Sequence, residues 1–284
     1  MPQLSEEEAE ARSIGLALLE ASSIYEGYVI PTFEEGQLFP PHRRAIIGLV
    51  GRQRRFLRAV HTLADAGQLL EAVGPLRSML EFLVCQRWLA LDPDRNWKLW
   101  MADDHAARDL WRKRLLEHAP ALHDAAVAAL MPEQRAEGEE VAAGRARLDA
   151  ELGDQWPGDR RQRNLEQRAA QVGLSFLYDV LYRYQSNAVP HPSMLSVDLL
   201  LEEHENGLVL RGEPTAQFVN LPVYLHGALL LSEALKDSAE LTDALRLPGL
   251  PSLGRDILAL LEKRASAQMP NWRDLMSNEA LDQA

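Results

Sequence analysis

The chain has 284 residues, of which 25% are charged, and its formal net charge is −12. This acidity excludes a protein that coats nucleic acid or an anionic membrane through its overall field, although a local basic site is compatible with it. A single cysteine excludes an intrachain disulfide and a cysteine-based zinc site. The N-terminus is acidic where a secretory signal would be basic, and no apolar run reaches the roughly 18 residues of a membrane span. We therefore expect a cytoplasmic protein that does not enter the membrane.

The N-terminal part of the chain predicts two helices. Ser5 is a suitable N-cap for a first helix that runs to about Tyr28, and the stretch Pro31–Pro41 predicts a loop. A second helix, about Pro41–Ala66, carries six arginines and is expected to end at Gly67. These arginines indicate either a solvated face with salt bridges to the acidic first helix or an anion-binding surface.

The helix expected at Gln68–Leu91 is the element around which we expect the fold to be organised. It is apolar on two faces, and a helix of this kind belongs in the middle of a bundle. Arg77 and Glu81 lie one turn apart on one of those faces. Since ionised groups are rarely buried alone, we expect them to lie buried or at the wall of a cleft, paired with each other or with another helix.

The rest of the chain completes a mainly α fold class. We expect a helix at about Asp94–His118, shorter helices from 120 to 152, a basic loop at 154–163, a helix at Asn164–Asn187, a small β-hairpin near Ser196–Leu210 with its turn at Asn206-Gly207, and helices at about Thr215–Ser238 and Leu253–Ala267. The predicted architecture is a single-domain multi-helix bundle over residues 1–270. The β-hairpin is an excursion at about 195–211, and residues 271–284 form a polar tail.

The segment 178–193, YDVLYRYQSNAVPHPS, has the most unusual combination of polar residues. Tyr182 and Ser186 share one helical stripe, and Arg183 lies on the adjacent stripe. His191 follows between two prolines that restrict its backbone, and histidine titrates near neutrality, as proton transfer requires. In the alternative interpretation, Arg183 forms a surface ion pair with the aspartate one turn back, and His191 merely closes a turn.

Two separated patterns occur in order along the chain. The first, G-x-x-x-E-A-x-x-x-x-R-S-x-x-E, comprises Gly67, Glu71, Ala72, Arg77, Ser78 and Glu81. The second, close to Y-x-x-x-S-x-x-x-H-P-S but one residue longer before the histidine, comprises Tyr182, Ser186, His191, Pro192 and Ser193. Together they resemble a bacterial family defined by a domain of unknown function, over about Arg43–Ser193. The resemblance implies an architecture, and we assign Arg77 and Glu81 to a binding or structural polar network.

More loosely, a helical bundle with an arginine followed by a histidine is similar to the HEPN superfamily, which includes metal-independent ribonucleases of toxin–antitoxin and phage-defence systems. The matching residues are Arg183 and His191, separated by seven residues where the HEPN motif has four to six. The resemblance implies that His191 is the general acid/base on a ribose 2′-hydroxyl and that Arg183 stabilises the developing phosphorane charge. We place Tyr182 and Ser186 in the same catalytic group. The resemblance also implies a homodimer, with RNA as substrate and an antitoxin or other protein as partner.

Two other functions fit the sequence. A metal-dependent enzyme would need at least three converging ligands from the set His61, Asp65, Glu81, Asp104 and His105. A non-catalytic bundle that binds a small ligand or a protein needs no further feature, because the polar residues would then fix helix register or line a pocket. We state the function as a HEPN-like ribonuclease or RNA-binding protein of bacterial defence or stress response, with no cofactor and no resident metal.

Overall fold

The computed structural model describes residues 4–25, 41–119, 164–183, 201–204, 207–210, 223–242 and 250–268, together with four isolated helical positions between 143 and 150. The described elements are α1 (Glu6–Ala21), α2 (Pro41–Asp65), α3 (Leu69–Leu91), α4 (Pro93–His118), α5 (Leu165–Gln171), β1 (Leu201–His204), β2 (Gly207–Leu210), α6 (Val223–Thr242) and α7 (Leu250–Gln268). The mainly α fold class is confirmed. Within the described part of the chain, no helix is long and apolar enough to cross a membrane.

Local signals account for the ends of α1 and α2. Ser5 caps α1 through a capping box, in which its hydroxyl accepts from the Glu8 backbone N–H at 3.2 Å and the Glu8 carboxylate accepts from the Ser5 N–H at 3.1 Å. α1 ends at Ala21 and continues as a 3₁₀ turn, Ser22–Tyr25, so the α-helix is shorter than predicted. The buried Ser22 hydroxyl donates to the Leu18 carbonyl at 2.6 Å, which satisfies one of the carbonyls at the helix end.

The predicted stop at Gly67 is confirmed. Gly67 has φ of +81°, its N–H donates to the Ala64 carbonyl at 3.0 Å, and the Gln68 N–H donates to the Leu63 carbonyl at 2.8 Å. This pair of bonds is a Schellman motif, in which glycine takes the left-handed position that other residues rarely adopt. The motif separates α2 from α3 by a short connection.

Among the described residues, two helices supply most of the buried apolar side chains. α3 is buried on two faces, as predicted, and it contributes Leu69, Leu70, Ala72, Val73, Leu76, Met79, Leu80, Leu83, Val84, Trp88 and Leu89. α6 packs against α1, α2 and α7, and it contributes Val223, Tyr224, Leu225, Ala228, Leu230, Leu231, Ala234 and Leu235. A Cβ on Gly227 would lie 2.6 Å from Leu57 Cδ1, so this glycine allows the close approach of α6 to α2.

The predicted helix Asn164–Asn187 is broken, and this correction determines the position of the residues that follow. α5 ends at Gln171, and Gly173, with φ of +70°, forms a second Schellman motif: the Leu174 N–H donates to the Ala169 carbonyl at 2.8 Å. A helical turn at Ser175–Leu177 then continues as a π-helical turn at Tyr178–Tyr182.

The chain forms two compact units, one made of residues 1–88 and 165–284 and the other of residues 89–164. In the second unit α4 begins at Pro93. Proline is tolerated in the first turn, because a backbone N–H there would have no partner within the helix. Asp92 Oδ1 accepts from the Arg95 N–H at 3.3 Å. The predictions of one domain over residues 1–270 and of a tail at 271–284 stay predictions. The shorter helices and basic loop predicted from 120 to 163 lie almost entirely outside the described residues.

In the first unit, β1 and β2 lie within the segment 195–211 and pair antiparallel. Leu201 is opposite Leu210, and His204 is opposite Gly207. The two C-terminal helices that the sequence predicts are present as α6 and α7.

Candidate functional site

The two sequence patterns meet in the structure at Arg77 and Tyr182. Arg77 Nη2 donates to the Tyr182 hydroxyl at 2.5 Å, and the guanidinium carbon lies 4.5 Å from the centroid of the tyrosine ring. The same nitrogen lies 3.2 Å from Glu81 Oε1, so the expected pairing of Arg77 and Glu81 is confirmed. The contact joins α3 to the π-helical turn across 105 residues of sequence. We call the group Arg77, Glu81, Tyr178, Tyr182 and Arg183 the Arg77–Tyr182 cluster.

The cluster is layered. The rings of Tyr178 and Tyr182 stack with centroids 4.9 Å apart and an interplanar angle of 17°. Arg77 covers one end of this stack, and the Arg183 guanidinium lies 5.4 Å from the Tyr178 centroid. Residues four apart on a helix are neighbours, which brings the two rings together. The turn that carries them is π-helical, because the Arg183 N–H donates to the carbonyl of Tyr178, five residues back.

Partial burial affects the two tyrosines of this cluster. Desolvation raises the pKa of Tyr182 and of Tyr178 above the ordinary value of a phenol. Both tyrosines are therefore neutral at physiological pH, and Tyr182 positions the Arg77 guanidinium as a phenol rather than acting as a base. Arg77 is 22% exposed, and in the described part of the chain no acceptor lies within hydrogen-bond distance of its buried Nε.

Arg183 is tied to two carboxylates at the surface. Its Nη2 lies 2.5 Å from Glu166 Oε1, and its Nε lies 2.9 Å from Asp179 Oδ1. The surface-pair interpretation of Arg183 and Asp179 is thus confirmed. The catalytic roles assigned to Arg183 and Tyr182 stay predictions, and Ser186 and His191 lie outside the described residues.

A second set of contacts holds α5 on α3 and so positions the turn that carries the tyrosines. The Trp88 indole Nε1 donates to Gln171 Oε1 at 3.0 Å, and the Arg168 guanidinium lies 4.2 Å from the Trp88 ring centroid. Since Gln171 and Arg168 belong to α5, the end of α3 and the start of the broken segment form one packed surface.

The ligands required by the metal-dependent alternative do not come together among the described residues, where no group of three or more His, Cys, Asp or Glu side chains could hold a metal ion. Asp65 is engaged by other side chains, and Glu81 pairs with Arg77. Asp104 lies on α4, in the second compact unit. The side chain of His105 is not among those that the structure describes.

Sequence reasoning missed a polar network between α1, α2 and α6. Arg12 donates to Asp65 through Nε at 2.7 Å and Nη2 at 2.6 Å, and the Tyr224 hydroxyl donates to Asp65 Oδ1 at 2.6 Å. The hydrogen bonds from Arg12 lower the pKa of Asp65 to about 2. No local pattern links these three residues, because their partners are 53 and 159 positions apart.

Arg54 departs from the solvated face predicted for the arginines of α2. It is 3% exposed, and its guanidinium donates to the Leu19 carbonyl at 2.9 and 3.2 Å and to the Ser22 hydroxyl at 3.1 Å. A buried arginine that binds the last carbonyls of a helix satisfies groups that the helix leaves open and places positive charge at the negative end of its dipole. Arg54 therefore caps α1.

Comparison with known proteins gives a family. The model of a family of unknown function, DUF5677, matches residues 43–208, which is more than half of the chain. The match spans both patterns that the resemblance rests on. No curated protein and no solved structure matches the chain.

Proposed function

The chain belongs to the family of unknown function DUF5677, and we propose that its Arg77–Tyr182 cluster binds single-stranded RNA. The observation that carries the proposal is a partly exposed stack of two tyrosine rings with a guanidinium group at each end. Unpaired bases stack on aromatic rings and guanidinium planes, and arginine donates to phosphate oxygens. The Arg77 side chain is 22% exposed, so part of it is open to such an oxygen.

Because the protein is acidic overall, RNA binding must depend on a local site. A net charge of −12 repels a polyanion, so affinity must come from the cluster rather than from the overall field. Within the cluster Glu81 competes with phosphate for Arg77, because its carboxylate occupies Nη2. Removal of that carboxylate should therefore strengthen RNA binding, whereas removal of the guanidinium should weaken it.

The proposal extends to cleavage without metal, in line with the HEPN resemblance. His191 would act as general acid/base, with Ser186 in the same group, and Arg183 would stabilise the phosphorane after leaving Glu166 or Asp179. Tyr182 would hold Arg77 against the phosphate. We propose that the protein acts as a homodimer in the bacterial cytoplasm, in defence or stress response, with an antitoxin or other protein as partner.

Binding is tested by fluorescence anisotropy with labelled single-stranded RNA in EDTA. Arg77→Gln should weaken binding by about tenfold or more, since a stacking or phosphate contact contributes on the order of 1–3 kcal/mol. Glu81→Gln should tighten it. Arg114→Gln is the matched control, because Arg114 is an exposed arginine 3.3 Å from Glu117 and lies on α4. Absence of binding by the wild type, or equal affinities for all four proteins, would refute the proposal.

Cleavage is tested on the same RNAs in EDTA, with wild type beside His191→Ala. Loss of cleavage in the variant alone supports His191 as general acid/base. Equal cleavage by both proteins assigns the activity elsewhere or to a contaminant. If neither protein cleaves while the wild type binds, the protein is an RNA-binding protein and the catalytic part of the proposal is wrong.

A second candidate is a non-catalytic bundle that binds a small ligand or a protein. The observation that favours it is charge compensation, since Arg77 pairs with Glu81 and Arg183 pairs with Glu166 and Asp179. In that case the cluster fixes the register of α3 and the π-helical turn. Arg77→Gln would then lower the free energy of unfolding, and neither the wild type nor the variant would bind RNA.

A further inference from the structure

A groove of about 390 Å³ lies between α1 and α2 and shares no residue with the Arg77–Tyr182 cluster. Leu16 and Leu19 of α1 give it an apolar wall. The α2 side is polar and includes His61, Thr62 and Asp65. A volume of this size accommodates a small organic molecule, and an apolar wall with a few polar groups is the usual composition of a ligand pocket.

His61 is the unusual group in this groove. It is 4% exposed, and neither of its ring nitrogens has a hydrogen-bond partner in the described part of the chain. A Cβ on Gly15 would lie 2.4 Å from His61 Nε2, so the ring packs against the backbone of α1. Buried polar groups in proteins are nearly always satisfied by protein, water or ligand, and leaving one unsatisfied costs free energy.

Four charged side chains line the groove, Glu20, Arg54, Arg58 and Asp65, and their formal charges sum to zero. Asp65 accepts from Arg12 and Tyr224, and Arg54 donates to the carbonyl of Leu19. His61 is neutral at physiological pH, because burial lowers its pKa to about 4. A neutral imidazole offers one donor and one acceptor. The unmet hydrogen-bonding capacity therefore matches an uncharged polar group rather than an ion.

We propose that this groove binds a small uncharged amphipathic molecule, whose hydroxyl or amide head hydrogen-bonds His61 and whose apolar part packs on Leu16 and Leu19. A charged head would meet a lining with no net opposite charge, and the carboxylate of Asp65 is already held by Arg12 and Tyr224. The site does not depend on RNA binding by the cluster.

Four probes of similar size test which chemical class of ligand the groove binds. Benzamide is neutral and polar, toluene is apolar, benzoate is an anion and benzylamine is a cation. The readout is the imidazole Cε1–H resonance of His61 in the full-length protein, assigned by its loss in His61→Leu. Benzamide should shift this resonance saturably and bind at least about tenfold more tightly than each of the other three, because a site built for hydrogen bonding rejects analogues that lack it or carry charge.

Two variants test whether benzamide binds in this groove. His61→Leu should abolish saturable benzamide binding by calorimetry. Leu16→Gln changes a side chain that is 42% exposed, so it should preserve the fold while weakening benzamide, and Leu116→Gln on α4 is the matched control that should leave benzamide affinity unchanged. The proposal is overturned if no probe shifts the His61 resonance up to its solubility limit, if a charged probe binds best, or if toluene binds as well as benzamide.

Discussion

The burial of His61 makes a quantitative prediction about acid stability. Its pKa in the folded protein is about 4, against an ordinary value of 6.5, because desolvation disfavours the imidazolium. Between these two values the unfolded chain binds a proton that the folded protein does not, so stability is lost as the pH falls from 6.5 towards 4. At about pH 5 this linkage lowers the free energy of unfolding by about 2 kcal/mol relative to neutral pH.

The measurement is urea unfolding of the wild type and of His61→Leu at about pH 7.5 and about pH 5. The wild type should lose about 2 kcal/mol more than the variant between the two conditions, and groups common to both proteins cancel in the double difference. Asp65 does not interfere, since its pKa of about 2 lies below the range. His118→Leu is the matched substitution, because that side chain is 65% exposed on α4.

Equal acid losses in wild type and His61→Leu would refute the reasoning. That result would mean that the imidazole binds its proton equally in the folded and unfolded states, as a solvated histidine does. The proposed groove site would then lose its neutral donor and acceptor as well. The acid-stability measurement therefore tests the physical premise of the ligand proposal independently of any ligand.

Three further predictions concern unfolding free energies measured in urea. Gly15→Ala should destabilise the protein by about 1–3 kcal/mol, since its Cβ would lie 2.4 Å from a buried imidazole nitrogen, whereas Gly51→Ala meets nothing within 4 Å and should stabilise α2 by up to about 1 kcal/mol. Arg12→Met should cost about 1–3 kcal/mol by removing both guanidinium bonds to Asp65; an effect under about 0.5 kcal/mol would contradict that pairing. Gly173→Ala should cost about 1–2 kcal/mol because φ of +70° strains alanine, and an unchanged free energy would show that the turn relaxes.

Much of the helical architecture can be predicted from the sequence, because the spacing of apolar residues shows which faces of a helix are buried. The bounds of α2, α3 and α4 agree with the predictions to within one residue at each end. Their ends are marked by local chemistry, such as Gly67 and Pro93. The break in the helix predicted at Asn164–Asn187 was missed, since the apolar period continues through Gly173 and glycine is tolerated inside helices at a modest cost.

The site was less predictable than the helices. Periodicity placed Arg77 and Glu81 on a buried face, but their contact with Tyr182 spans 105 residues and depends on the turn after Gly173. The network of Arg12, Asp65 and Tyr224 had no sequence signal at all. Local patterns report which face of a helix is buried, whereas partners on other helices are set by packing that a single sequence does not reveal.

The break at Gly173 connects these observations. The helical segment after the break carries Tyr178 and Tyr182 four residues apart on one face, where their rings stack and Tyr182 lies under the Arg77 guanidinium. The result is a layered cluster in which Arg77 is the donor and Glu81 is the competing acceptor. Affinity for any anionic ligand is then the difference between two contacts of the same arginine, so Glu81→Gln should shift it in the direction opposite to Arg77→Gln. A cluster that serves packing alone would show a change in stability for both variants and no such opposition.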